Sequence, residues 1–299
     1  MPAAAAVLAI KCLATATAVA ICMVAAALPA WAGPAAGAVK SASGTISAKH
    51  AVAYVVRDMR NPRTTQLEVL ITDVPVDAAT FVGEFDPHLK AINLAALRGR
   101  DYLLLWLGAD GAATMNATYS KTMTQYLNDA SGGLKAEIAR NTATKIEGRV
   151  FSPAPLKTLA GPTYTIDVTF SADVVPALSG AALPAGGGDP GKALTALLAA
   201  IGTRDWIGIK AGLSPTKLPA FDKDYNTPAE NLAMAVDILN AWLPTTRATV
   251  TGGFLVSDSD AVLELEGERF GSRMLALVRM TRTGGAWQYE NSLNAGTLR

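Results

Sequence analysis

PAENLAMAVDILNAWLPTTRATVTGGFLVSDSDAVLELEGERFGSRMLALVRMTRTGGAWQYENSL, residues 228–293, changes its hydrophobic period once, at Pro244. Before that proline, Leu232, Ala235, Val236, Leu239, Trp242 and Leu243 recur at helical spacing and make one apolar stripe. Thr227 and Glu230 frame Pro228 as a capping box with proline at the first helical position. After Pro244 the period becomes two, the signature of strands that alternate between a buried and a wet face. Strands are predicted at about 248–256, 261–268, 273–281 and 286–293, separated by Ser257-Asp258-Ser259-Asp260, Arg269-Phe270-Gly271 and Thr283-Gly284-Gly285. Spacings this short suit an antiparallel meander. Helices first and an antiparallel sheet after them give an α+β fold class.

Working outward, Asp189 and Pro190 open an earlier helix with Leu194, Leu197, Leu198 and Ile201 on one face and Gly202 as a left-handed stop. A shorter helical stretch is predicted around 206–211. This order of helices and strands, closing on Gly284-Gly285-Ala286-Trp287 and a final strand, resembles the cystatin-like cone fold of nuclear transport factor two-like domains in bacterial envelope proteins. The likeness covers about residues 189–299. It implies a curved sheet packed by its long helix around an apolar pocket, for which Trp206, Tyr225, Trp242 and Trp287 are the candidate lining residues; the plainer role for the same aromatics is core packing. The Asp-His pairs of that family's enzymes have no counterpart, because this region contains no histidine.

Upstream, VPALSGAALPAGGGDPG gathers too much proline and glycine for an element interior, so residues 176–188 are expected to be a linker. Residues 44–175 form an expected β-rich antiparallel domain, with strands at 51–56, 67–74, 102–107, 114–119 and 164–170. In the last of these Tyr164, Ile166, Val168 and Phe170 alternate with Thr165, Asp167 and Thr169. Ala109-Asp110-Gly111 signals a hairpin. One helix interrupts the strands: Asp86 caps it, Pro87 starts it, Leu89, Ile92 and Ala96 line one side, and Gly99 ends it. Residues 33–43, small and low in apolar bulk, are expected to be a flexible lead-in.

The first 32 residues carry an export signature. From Cys12 to Ala32 the chain is apolar and uncharged, follows Lys11, and closes on Ala30-Trp31-Ala32, the small-x-small pattern that a signal peptidase accepts. At 1.5 Å per residue such a stretch would reach about 31 Å as a helix, long enough for an anchor, but Pro29 and the cleavage triplet favour removal before Gly33. Neither cysteine follows a small residue, which argues against a lipoprotein. Both lie in the leader, so the product expected after cleavage has no thiol for disulfides, thiolate metal sites or nucleophilic catalysis. Removing Lys11 from 26 basic residues leaves 25 against 25 acidic ones, a neutral chain without the basic patch that nucleic acid or an anionic membrane would require.

Few residues carry candidate chemistry. His50 leads into a strand, and His88 sits in the first turn of the Pro87 helix, where the helix dipole disfavours a protonated imidazole. Glu84, Asp86 and His88 could ligate a metal only if the backbone made them converge; a capping turn is the simpler role, and no metal or cofactor is assigned. Glu264, Glu266 and Glu268 share one strand face and could bind calcium or supply an acid/base pair, or form a wet face opposite Arg269, Arg273 or Arg279. The 257–260 segment lacks the glycine and distal glutamate of a calcium loop. No Gly-x-Ser-x-Gly occurs, and Gly186-Gly187-Gly188 has neither the preceding strand nor the Lys-Ser/Thr of a phosphate loop. The sequence therefore points to an exported, periplasmic or secreted, non-enzymatic protein that binds a protein, glycan or small apolar ligand. Two alternatives stay open: a carboxylate-based hydrolase or isomerase using His88 or the Glu264 row, and a structural assembly subunit.

Overall fold

The structure, a computed structural model, describes residues 32–42, 44–58, 61–94, 102–107, 113–119, 124–125, 133–157, 163–218 and 228–298. It is sheet-dominated and α+β, with antiparallel pairing nearly throughout.

The N-terminal half is an eleven-stranded sheet. Its centre is β1 (Gly33–Ser41), flanked by β3 (His50–Asp58) and β11 (Thr163–Val175), with β2 (Gly44–Ser47) paired to β1 off the main path. Beyond β3 lie β4 (Asn61–Thr72), β5 (Tyr102–Leu107), β6 (Ala113–Tyr119) and β7 (Thr124–Gln125). Beyond β11 lie β9 (Lys145–Phe151) and β8 (Lys135–Asn141), while β10 (Leu156–Lys157) adds a short pairing to β11. In β11 burial alternates residue by residue, as the period-two pattern at 164–170 requires. Strands β3 to β5 are apolar on both faces because both are covered. Ala53, Val69, Ile71, Leu103 and Leu105 join Val150, Ile166 and Val168 from the other wing in one core. Val52, Tyr54, Leu70 and Leu104 pack instead under Phe81 and Ala91.

Phe81 ends a 3-10 turn, Ala78–Phe81, and Ala91 lies in helix α1 (Pro87–Asn93). As expected, the Asp86 side chain caps α1, accepting from the Leu89 N–H at 2.9 Å, with Pro87 at the start. The helix stops earlier than its pattern suggested: the Leu94 N–H closes on the Lys90 carbonyl, Leu89 is 46% exposed and Ala91 is the buried residue. Ala96 and Gly99 lie outside the described residues, as do the 109–111 turn, Thr227 and residues 1–31.

Two expected connectors are structured. The lead-in at 33–43 contains β1, whose weak strand composition is overridden by position. A Cβ on Gly33 would lie 1.8 Å from the Ser171 carbonyl oxygen, and one on Gly37 (φ 109°) 2.0 Å from that of Asp167. Only a chain this slim fits between its neighbours. The stretch at 176–188 contains β12 (Ala181–Leu183), which pairs with Leu255, Phe254 and Gly253 as the edge of the second sheet.

That second sheet runs in chain order from β12 through β13 (Thr246–Ser257), β14 (Asp260–Arg269) and β15 (Ser272–Thr283) to β16 (Ala286–Thr297). Two of its hairpins turn on residues with positive φ, Phe270-Gly271 and Gly284-Gly285, the twist that two-residue hairpins prefer. Helices α2 (Gly188–Thr203), α3 (Trp206–Gly212) and α4 (Pro228–Trp242) precede or interrupt these strands. Their buried Leu194, Leu197, Ile201, Ile209, Val236 and Leu239, with Leu243 just past α4, pack on Leu263, Leu265, Val278, Met280 and Tyr289. Each such leucine removed from water stabilises the fold by about 2 kcal/mol. The left-handed stop of α2 is Arg204 (φ 56°), not Gly202: its N–H reaches the Ala200 and Ile201 carbonyls, so the helix runs through the glycine to Thr203.

Candidate functional site

The other face of the second sheet is not open to water. Val262, Leu275, Leu277 and Ala295 are buried there with Phe85 from the segment before α1, and Phe254, Val256 and Leu293 extend the patch. Between this face and the β3–β5 wing of the first sheet lies a cleft of about 360 Å³, within the size range of small-molecule sites. Phe81, Phe85, Leu178, Phe254, Val262 and Leu277 give it apolar walls.

Strand register builds its polar end. Tyr54 on β3 pairs with Glu68 on β4, and Glu68 pairs with Trp106 on β5, so the three side chains form one row across three strands. Helix α1 sets His88 over that row, with its Nδ1 at 2.8 and 2.9 Å from the two Glu68 carboxylate oxygens. Glu68 has no exposed surface. A carboxylate buried without a partner costs several kcal/mol, and His88 is what makes this position tolerable. Burial works against the imidazolium, but the hydrogen bond to Glu68 and the charges of Glu68 and Asp86 outweigh it and raise the His88 pKa above 6.5. The helix-dipole expectation is thus reversed by a residue that is remote in sequence.

One donor in the wall is left over. The Trp106 Nε1–H is buried without a hydrogen-bond partner, an orphan that costs about 1–3 kcal/mol, while the Tyr54 hydroxyl lies against the Glu68 carboxylate, which accepts its hydrogen. Tyr54 is held by Phe81, stacked at 4.7 Å between centroids and 12° between planes. Burial first, then the charge of Glu68 and the hydrogen bond to it, push the Tyr54 phenol well above its ordinary pKa of 10.0, so it remains a protonated donor. The Trp106 and His88 rings lie 6.2 Å apart at 50°. At the rim Arg57 donates to Glu264 across the sheets at 2.9 Å.

The sequence-level candidates distribute unevenly over this geometry. His88 belongs to the cleft. Its presumed co-ligands do not converge with it: Glu84 pairs with Lys90 at 3.2 Å and Asp86 caps α1. Among the described residues no group of three side chains could hold a metal ion. His50 is a strand residue opposite Thr72 and Pro34, away from the cleft. The Glu264 row is consumed by ion pairs: Glu264 with Arg57, Glu266 with Arg63 and Arg273, and Glu268 with Arg247. Arg273 stands opposite as expected, Arg279 instead binds Asp260, and the face is an interface more than a wet surface. Of the aromatic candidates, Trp206 and Trp287 are partly buried against the helix-side core, Trp242 is 43% exposed at the end of α4, and Tyr225 is outside the described residues. Trp206, Trp242 and Trp287 do not line the cleft, which is on the opposite face of the second sheet from the helices.

Tyr54, Glu68 and Trp106 were missed because each reads as an ordinary strand residue. One clue existed: Glu68 is a lone carboxylate inside the apolar run Leu67–Thr72, where one charge among β-branched and aliphatic neighbours is unusual.

The chain matches no family model, and it matches no curated protein and no solved structure. Among the described residues no helix is long and apolar enough to cross a membrane.

Proposed function

We propose that the protein is an exported, periplasmic or secreted, binding protein that holds a small, largely apolar molecule in the cleft between its two sheets. The observation carrying this reading is the cleft itself. It is apolar-walled, has room for a small ligand, and ends in the polar row of Tyr54, Glu68 and Trp106 under His88. The export leader and the neutral, thiol-free composition expected after its removal support the compartment and argue against nucleic acid as partner. The cystatin-like cone belongs to the same proposal; its support is the order of helices and then a five-stranded antiparallel sheet packed by α2, α3 and α4 on one face.

Native mass spectrometry of gently purified protein tests the reading. A small-molecule adduct that disappears in a Leu277→Glu variant is expected, whereas an adduct unaffected by that change would place the ligand elsewhere.

A second reading, proton-transfer catalysis by an isomerase or hydrolase, is favoured by one specific observation: His88 and a carboxylate face one another at the cleft, the arrangement that orients a general base. Against it, Thr65 and Tyr54 are hydroxyls of the cleft lining, and neither is hydrogen-bonded to His88 as an activated nucleophile would be. Turnover of a bound ligand by the wild type and its loss in His88→Gln would establish the enzyme.

A further inference from the structure

We propose that the tip of the β14–β15 hairpin is a peripheral docking point for an anionic phospholipid surface, with Phe270 and Trp242 entering the headgroup layer and the surrounding arginines meeting its phosphates. This surface is separate from the cleft and does not rest on the cleft-binder reading. Phe270 starts the argument, because it works against the fold. With Gly271 it makes the two-residue turn between Arg269 and Ser272, at φ 50°, a left-handed backbone that a bulky side chain adopts reluctantly and that Asn or Gly takes readily. Burial does not compensate, since Phe270 is 87% exposed. Neither the turn nor the core accounts for an aromatic side chain at this position.

Its surroundings do. The Arg269 guanidinium lies 5.4 Å from the Phe270 ring centroid and donates to the Ala241 carbonyl, which ties the tip to the end of α4, where Trp242 is 43% exposed. At the base of the same hairpin the fold gathers arginines that the sequence scatters: Arg63 and Arg273 both pair with Glu266, and Arg247 pairs with Glu268. These pairs are layered. The Glu266 and Glu268 side chains are 10% and 30% exposed, whereas those of Arg63, Arg273 and Arg247 are 58%, 65% and 80% exposed, so carboxylates lie beneath and guanidinium groups face outward. A chain close to neutral overall, without a basic run, thus acquires a local positive surface only by folding. The apolar area then selects among negatively charged partners. At about 150–250 Å² per aromatic side chain, Phe270 and the exposed part of Trp242 offer roughly 300 Å², against about 800 Å² on each side of a stable protein complex. A bilayer interface needs no matching area: aromatic rings settle at headgroup level, and arginines beside them bind phosphate oxygens.

Co-sedimentation with lipid vesicles tests the proposal on residues 33–299, which hold every described strand and helix. Vesicles of phosphatidylglycerol and phosphatidylcholine in equal parts are expected to bind the protein about tenfold or more tightly than phosphatidylcholine alone, and about 1 M salt should abolish that preference. Phe270→Asn should weaken binding to the anionic vesicles by about tenfold. Its thermal midpoint should stay level or rise, because asparagine suits the turn. Phe270→Trp should bind at least as tightly as the wild type, and Arg247→Gln should lose several-fold on the anionic vesicles alone. Equal binding to both vesicles, or a Phe270→Asn variant that sediments like the wild type, overturns the proposal. So does a Phe270→Asn variant that melts well below the wild type, since Phe270 would then serve the fold. Tighter binding to a single-stranded oligonucleotide than to the anionic vesicles, or a dimer in light scattering that Phe270→Asn abolishes without any vesicle binding, assigns the tip to another partner and likewise overturns it.

Discussion

At the scale of single residues, the site depends on one buried carboxylate and the imidazole that neutralises it. His88 holds its proton more tightly folded than the 6.5 of a free imidazole, so the sign of its linkage follows directly. The stability it contributes is fully present below the free-imidazole pKa and is lost as pH rises through the higher folded value. Proton NMR of the ring should show His88 titrating above 6.5, and Glu68→Gln should bring the midpoint down. Correspondingly, the urea-unfolding free energy separating wild type from His88→Asn should shrink as pH is raised across that window; a gap that widened with pH would contradict the pairing. His88 was visible in the sequence as one of two histidines, but its partner was not, because Glu68 lies 20 positions away and meets it only when α1 folds back over β4.

At the scale of elements, local pattern was a good guide wherever one face of an element met a core and the other met water. The alternation in β11 is of that kind, as are Val236 and Leu239 of the predicted α4 stripe, whose Trp242 is instead exposed, and the strands after Pro244 agree with their predicted bounds to within a few residues. It failed for β1, whose residues Gly33–Ser41 carry almost no apolar signal because the slot between β3 and β11 selects for slenderness. Two glycines separate these effects. Gly271 (φ 76°) has open space around it, so Gly271→Ala should cost about 1 kcal/mol, the left-handed backbone penalty alone. Gly37 (φ 109°) adds a backbone oxygen at 2.0 Å from the new methyl, and Gly37→Ala should cost distinctly more, since β1 and β11 must separate to admit it. Chemical denaturation of the two variants checks the order.

At the scale of the whole molecule, two kinds of interaction join the sheets, and their magnitudes differ. Arg57–Glu264 and Arg63–Glu266 are ion pairs with partly exposed arginines, a class worth about 0–1 kcal/mol each. The patch of Phe85, Val262, Leu275, Leu277 and Ala295 buries several large apolar side chains at about 1.5–3 kcal/mol apiece. The patch therefore dominates. Arg63→Ala is expected to lower stability by less than about 1 kcal/mol and to leave a single thermal transition. Leu277→Asp, which buries a charge in the patch, should uncouple the sheets and split calorimetric unfolding into two transitions. A single, merely lowered transition would show that the sheets do not melt as separate units.

The chain's own pattern was enough for the α+β class, the strand meander after Pro244 and the capping of α1, because each depends on neighbours a few positions apart. Only the tertiary structure decided where the cleft forms. The cleft needs the outer face of the second sheet to turn toward β3–β5, and its polar row needs three strands in register: Tyr54, Glu68 and Trp106 are far apart along the chain and adjacent only across the sheet. Periodicity reports which face of an element is apolar; it carries no information about which other face will cover it.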